Sequence, residues 1–388
     1  MLRAYKEVKM KKATTNGNLL RSITAMLIIV ILVLTVSIAV SGWQADTNGE
    51  NSGEDGNLTD NADNPNGDTD NSEGTADNNT QIPQEKPEAP KIPKYTYYLS
   101  GLECKAENTS MLPYAFVMES TAPLYGISDT ELMIELPTEN GKTRYIVYKS
   151  EIVGLGKIGA ISKSRNYIGA VAKKFGGILV ANGEDDILDY SSSPYTLHLD
   201  LSERSELIYK ENGKNVYTDA ELINEFLKDE SIDRETFRKQ TMPFKFAEFG
   251  DKVKCSTSAT KILIPYSDSD SAELVYDSAS GKYLLKKNGK FKTDMLTGEN
   301  ASFKNALILF ADSITYELSE GTESVLDVDG GGSGYYVTEG GLREIKWSVD
   351  GSGSLVIKTL SSEILTVNRG NTYISYFKSV ISDKIIFE

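Results

Sequence analysis

The chain has one histidine and two cysteines in 388 residues. A single imidazole excludes metal sites and acid–base relays that need two, and Cys104 with Cys255 cannot build a cysteine-rich zinc centre. No metal or cofactor is expected, and no catalytic residue is singled out. His198 lies in Tyr195-Thr-Leu-His-Leu-Asp-Leu201, where alternation predicts a strand, and an isolated histidine there reads as structural or surface-placed. Positive charge is also scarce. Six of the 41 basic residues but only one of the 56 acidic ones fall within the first 21 positions, so the remaining 35 and 55 leave a net charge of −20. A body that acidic repels a phosphate backbone, so nucleic acid is not an expected partner. Apolar residues are almost absent between positions 44 and 80. Such a stretch cannot bury enough surface to offset its ordering entropy.

What is present begins with a basic segment, residues 1–21. An uncharged run from Ile23 to Val40 follows. With its flanks, residues 22–42 are long enough to cross a bilayer core of about 30 Å as a helix rising about 1.5 Å per residue. The basic flank would stay cytoplasmic, placing residues 43–388 outside the membrane. A cleaved signal peptide ending at Ala39-Val40-Ser41 is the rival reading, and the length of the run favours an uncleaved anchor. No cysteine follows the run to carry a lipid. Residues 43–94 read as a disordered acidic linker ending in a stretch with prolines at 83, 87, 90 and 93, which favours an extended spacer. Fifty flexible residues reach roughly 40 Å.

The folded part is expected as α+β: a mixed α/β domain over 95–248, then a mostly β domain over 249–388. The first is organised around Glu131–Lys149, where two apolar runs flank Asn140-Gly141, a strong hairpin signal. Pairing Thr138 with Thr143 places Leu132, Ile134, Leu136, Tyr145 and Val147 on one face and Glu131, Glu135, Glu139, Lys142 and Arg144 on the other. Pro137 has no N–H to give, which favours a four-residue loop from Glu139 to Lys142 over a two-residue turn. Asn166–Phe175 has helical spacing and ends at Gly176-Gly177, before a strand at Ile178–Ala181. Thr218-Asp-Ala-Glu221 reads as a capping box opening a second helix. From about Gly250, short alternating runs separated by Ser280-Gly281, Asn288-Gly289 and Gly340-Gly341 predict strands. Asp327-Val-Asp-Gly-Gly-Gly-Ser-Gly334 lacks the Gly-Lys-Ser/Thr of a phosphate loop and reads as a flexible turn. Asp268, Asp270 and Glu273 lack the spacing of a calcium loop and read as solvated. A Cys104–Cys255 disulfide would close a long loop, worth roughly 5 kcal/mol; two separate thiols are the favoured reading.

At the hairpin, Thr130-Glu-Leu-Met-Ile-Glu135, Glu139-Asn-Gly141 and Lys142-Thr-Arg144 resemble the YerB-like family of two-domain bacterial envelope lipoproteins, whose biochemical role is not established. Gly159-Ala-Ile-Ser-Lys-Ser-Arg165, Gly213-Lys-Asn-Val-Tyr-Thr218 and, further on, Tyr283, Gly289 through Asp294, Thr297-Gly298 and Asn305 extend the resemblance over most of residues 95–388. Departures from the family pattern are consistent. Val180, Lys214 and Lys292 stand where the family has histidines, Ser162 replaces an arginine, and the lipid-bearing cysteine is missing. Histidine-dependent chemistry, if the family has it, is not expected here. The polar positions that remain, Glu135, Glu139, Arg144, Arg165, Asn215, Tyr217, Asp294 and Asn305, are the candidate binding residues.

Three readings of function stand. The first is a membrane-tethered extracytoplasmic binding or scaffold protein of the bacterial envelope, with a wall glycan or an envelope protein as partner. The second is a glycan hydrolase or modifying enzyme in which Glu135 and Glu139 divide acid and base roles. The third is a sensor holding an anion at Arg165, where a helix begins.

Overall fold

The computed structural model describes residues 91–388 apart from 139–140, 186–195, 212–213, 237–239 and 319–320. The anchor expected at 22–42, nearly all of the linker, and Glu139 lie outside the described residues. Among those described, no helix is long and apolar enough to cross a membrane. Contacts group Glu85–Glu388 as one compact unit.

Local patterning explains the elements. Strands follow the alternating or apolar runs: β1 (Tyr114–Glu119), β2 (Leu132–Pro137), β3 (Thr143–Lys149) and β4 (Lys157–Ile161). Helix α1 (Asn166–Phe175) buries Ile168, Val171 and Phe175 on one side, each contributing about 1.5–3 kcal/mol. It stops at Gly176, whose φ of +70° suits a residue without a Cβ. Then come β5 (Gly177–Ala181), β6 (Thr196–Asp200), β7 (Asn215–Asp219) and helix α2 (Ala220–Asp229). The cap of α2 is Asp219, which accepts from the Glu221 N–H at 2.8 Å; Thr218 instead donates to the Leu207 carbonyl. The remaining main strands are β8 (Lys261–Ser267), β9 (Asp270–Asp277), β10 (Lys282–Lys287), β11 (Asn305–Ala311), β12 (Gly331–Thr338), β13 (Gly341–Val349) and β14 (Thr372–Lys378).

The fold class differs from the mixed α/β-plus-β expectation. With two α-helices of ten residues each among the described residues, the fold is mostly β in both halves. Helix α1 leads into β5, which pairs parallel to β1, and most other neighbouring strands pair antiparallel. Nor do the halves keep separate main sheets. One sheet runs β13, β12, β11, β14, β2, β3, β1, β4, β7, with β5 pairing parallel to both β1 and β6. β14 lies between β11 and β2, parallel to both. A second sheet contains β10, β9 and β8 in that order, and its inner positions alternate buried and half-buried.

Two apolar layers hold these sheets. One joins Met133, Tyr145, Val147, Tyr373 and Phe377 of the large sheet to Ile262, Ile264, Leu274 and Leu285 of the second sheet. The other lays α1 against Ala115, Ile134, Ile146 and Leu179, and continues through Leu307, Ile345 and Trp347.

The hairpin register departs by one residue from the expected pairing. Thr138 N–H donates to the Lys142 carbonyl at 2.7 Å, so the loop has three residues, closed by Gly141 at φ +67°. Pro137 therefore pairs with Thr143 and Glu135 with Tyr145. A one-residue slip exchanges the faces of a strand. Glu135 joins Met133, Tyr145 and Val147 in the first layer, and Leu132, Ile134 and Leu136 face α1.

The glycine-rich stretch near 330 is also not a free turn: Gly331–Gly334 form the first half of β12. A Cβ on Gly332 or Gly334 would come within about 2.2 Å of the carbonyl oxygens of Phe310 or Ile308.

Candidate functional site

The slip in register carries Glu135 into a sealed polar cluster between the two sheets. Glu135 has no exposed surface. Its Oε1 accepts from Thr143 Oγ1 at 2.6 Å and from Lys287 Nζ at 2.5 Å, and its Oε2 accepts from the Tyr373 hydroxyl. Lys287 also donates to Thr143 Oγ1 at 2.8 Å, and Ser120 Oγ, which donates to the Thr143 carbonyl, lies 2.8 Å from the same hydroxyl. Asp270 Oδ1 lies 2.6 Å from Lys287 Nζ as an ion pair, yet neither Asp270 oxygen accepts a hydrogen bond from any described group. The hydroxyls of Tyr145, Tyr266 and Tyr373 border the cluster; burial, then the charge of Glu135, pushes all three well above the usual phenol range. Lys292 completes it, donating to the Ser120 and Ala122 carbonyls at 2.6 and 2.7 Å. Burial pulls its ammonium down to about 8, with the charge of Glu135 opposing.

Other candidate residues stand elsewhere. Arg144, on the face opposite Glu135, pairs with Glu119 at 3.1 Å. Arg165 precedes α1, and its Nη1 donates to the Ser164 carbonyl at 3.2 Å. Asn215 and Tyr217 lie on β7, where Tyr217 packs edge-on to Tyr125 and stacks with Tyr209. The Lys157 ammonium sits among these rings, 3.9 Å from the Tyr125 centroid and 4.0 Å from that of Tyr217, and pairs with Glu211. Asp294 is fully buried and accepts from Gly126 N–H at 3.1 Å, Ser128 N–H at 2.7 Å, Ser128 Oγ at 2.8 Å and Leu296 N–H at 2.9 Å. Burial pushes this carboxyl up, but the hydrogen bonds from Ser128, Leu296 and Gly126 outweigh it and hold it below the usual carboxylate range. Asn305 is buried as well, accepting from the Tyr336 hydroxyl and donating to the Asn368 carbonyl, both at 2.8 Å. These contacts tie chain segments together and leave little capacity for a ligand. Cys104 and Cys255 are free thiols.

An open concavity lies apart from all of this. β5 and β6 run parallel, and just beyond their carboxyl ends a cleft of about 630 Å³ is lined by Lys163, Asn182, His198, Asp200, Ser202 and Lys210, among others. In sheets with parallel strands, ligands favour this position because loops there diverge and leave backbone groups accessible. Asp200 organises the rim: its Oδ1 accepts from Gly183 N–H, Ser202 N–H and Ser202 Oγ at 2.7–2.8 Å. Burial lowers the pKa of His198, while Asp200 and Glu203 oppose it. The lining thus includes two ammonium groups, an amide, a hydroxyl, a carboxylate and an imidazole. That set suits a hydroxyl-rich or anionic ligand.

Residues 99–233 match the family described as protein of unknown function (DUF3048), N-terminal domain, and residues 262–374 match its C-terminal domain. The chain belongs to the DUF3048 family. It is similar to the crystal structure of the YerB protein from Bacillus subtilis, with a TM-score of 0.65 and 20% identity over 76% of this chain and all of that one. A search of curated proteins gives no match.

In this DUF3048 protein, Lys292, which stands at a histidine position of the YerB-like pattern, bonds two carbonyls across the seam between the matched segments. Sequence reasoning missed Lys287 and Asp270, although the signal was present. Lys287 shares strand parity with Tyr283 and Leu285, and Asp270 with Ala272 and Leu274, so each falls on an inward position. The cleft left no comparable trace, because its lining comes from several turns that the fold brings together.

Proposed function

We propose that this DUF3048 protein is a membrane-tethered extracytoplasmic binding or scaffold protein of the bacterial cell envelope, and that its ligand is a polar wall component held in the cleft beyond β5 and β6. One observation carries the reading. Glu135, the carboxylate on which a hydrolytic site would depend, is enclosed with protein donors on both oxygens, whereas the cleft is open and polar. A general acid must reach its substrate. The placement outside the membrane rests on the basic flank and the uncharged run at residues 22–42.

The test is thermal unfolding of the full chain with wall-glycan fragments and small anions, repeated for Asn182→Ala and Lys210→Ala. A ligand at 100 times its Kd should add about 2.7 kcal/mol of stability. The expected result is a rise in Tm for the natural chain that either substitution reduces. A rise unchanged in both variants would move the ligand away from this cleft. No rise with any ligand would refute the glycan assignment and point to a protein partner.

A further inference from the structure

The cluster around Lys287 holds the reactants of a condensation. Lys287 Nζ is 2.6 Å from Asp270 Oδ1 and 2.5 Å from Glu135 Oε1, and its side chain is 4% exposed against 0% for both carboxylates. The two carboxylates are held differently. Both oxygens of Glu135 are fixed by good hydrogen bonds, from Thr143 and Lys287 on one side and Tyr373 on the other. Asp270 accepts none from any described group, and the amine approaches it outside hydrogen-bond directions. A buried carboxylate so poorly matched to the ammonium paired with it is a costly arrangement for an ion pair alone.

We propose that Lys287 Nζ and Asp270 Cγ are joined by an intramolecular isopeptide bond, formed with Glu135 as the general acid–base. Transfer of one proton within the ion pair turns ammonium and carboxylate into a neutral amine and a neutral acid, the forms a dry site favours. The Nζ lone pair then attacks Cγ, forming the N–C bond as the carbonyl π pair moves onto oxygen. Glu135 takes a proton from the nitrogen and delivers it to the hydroxyl, which departs as water as the carbonyl reforms. The balance is one amine and one acid giving one amide and one water. Nothing is oxidised or reduced, and Glu135 ends as it began.

The setting supports each part. Diagonal positions on paired strands hold the partners, since Lys287 opposes Ala272 and Asp270 lies two residues away on the same face. Such fixed proximity replaces the entropy of a bimolecular encounter. The site is closed to solvent, since Glu135, Asp270, Lys287 and Lys292 are all buried. Tyr145, whose buried hydroxyl has no hydrogen-bond partner among the described residues, borders the same carboxylates. The product amide removes one charge of each sign from the interior.

The experiment is a tryptic peptide map of the purified full chain by mass spectrometry, which does not depend on how the N-terminus is processed. Linked Lys287 resists trypsin, so the expected species is peptide 262–282 joined to peptide 287–290, lighter than their sum by one water. It should be absent from Lys287→Ala and Asp270→Ala, and Glu135→Gln should accumulate the unlinked peptides. Peptide 262–282 recovered unlinked from the natural chain would overturn the proposal, without any variant having to fold. A branch joining Lys287 to Glu135 would overturn the assignment of roles, and full linkage in Glu135→Gln would remove Glu135 from the reaction.

Discussion

Replacing Asp294 by alanine should loosen the attachment of the second matched segment to the first. The carboxylate accepts four hydrogen bonds, but they are not equal. The Ser128 hydroxyl can rotate toward another acceptor, and Leu296 is 41% exposed, so water can serve its N–H. Gly126 and Ser128 N–H remain, in buried bonds. Each buried donor left unpaired costs about 1–3 kcal/mol, so Asp294→Ala should cost about 2–6 kcal/mol. Asp294→Asn keeps one acceptor oxygen and should cost about half as much. Urea unfolding of the full chain measures both, with an unchanged slope showing that the end states are comparable. A loss below about 1 kcal/mol for the alanine variant would mean that water reaches these donors, and the reasoning would fail. The pH dependence gives a second check. Because the folded carboxyl titrates below its unfolded counterpart, its contribution is complete above the usual carboxylate range and is lost as pH falls through the folded value. The difference between the natural chain and Asp294→Asn should therefore stay constant from neutral pH to about 5 and shrink only below about 4.

Two further outcomes follow from buried or constrained positions. Lys292 titrates near 8 when folded and higher when unfolded, so the unfolded chain binds more protons above that value and stability from this group rises with pH between about 8 and 10. Relative to Lys292→Met, the natural chain should gain at most about 1.4 kcal/mol per pH unit in that window, read by chemical denaturation; a flat difference would refute the lowered pKa. At Gly141, φ is +67° and an added Cβ would lie 3.3 Å from that of Ser267. Gly141→Ala should cost about 1–2 kcal/mol, seen as a lower urea midpoint, and a neutral result would show that the hairpin loop can rearrange.

Much of the local structure was legible because its causes are local. The spacing of Ile168, Val171 and Phe175 with Gly176 behind them defines α1, and alternation across Lys261–Lys287 marks β8, β9 and β10. The site was less legible for a specific reason. Whether Glu135 faces solvent or core depends on one residue of loop length, and Asn140-Gly141 fits loops of either parity. Asp270 was read as solvated because Asp268 and Ser269 beside it are polar, although its parity with Ala272 turns it inward. The shared sheet had no local sign at all, since Ile134 and Ile374 are brought together only by the complete topology.

The position of β14 bears on how the chain reaches its fold. Thr372–Lys378 follows both of its sheet neighbours in chain order, yet it is the strand that joins β2 to β11. Until it arrives, each of those strands has an open edge able to pair with another molecule. Joining residues so distant in sequence makes folding slow, because loop-closure entropy is lost before the contacts compensate. A chain truncated before residue 372 would keep nearly all of both matched segments and still lack the strand that joins them, so its expected fate is aggregation rather than two independent halves.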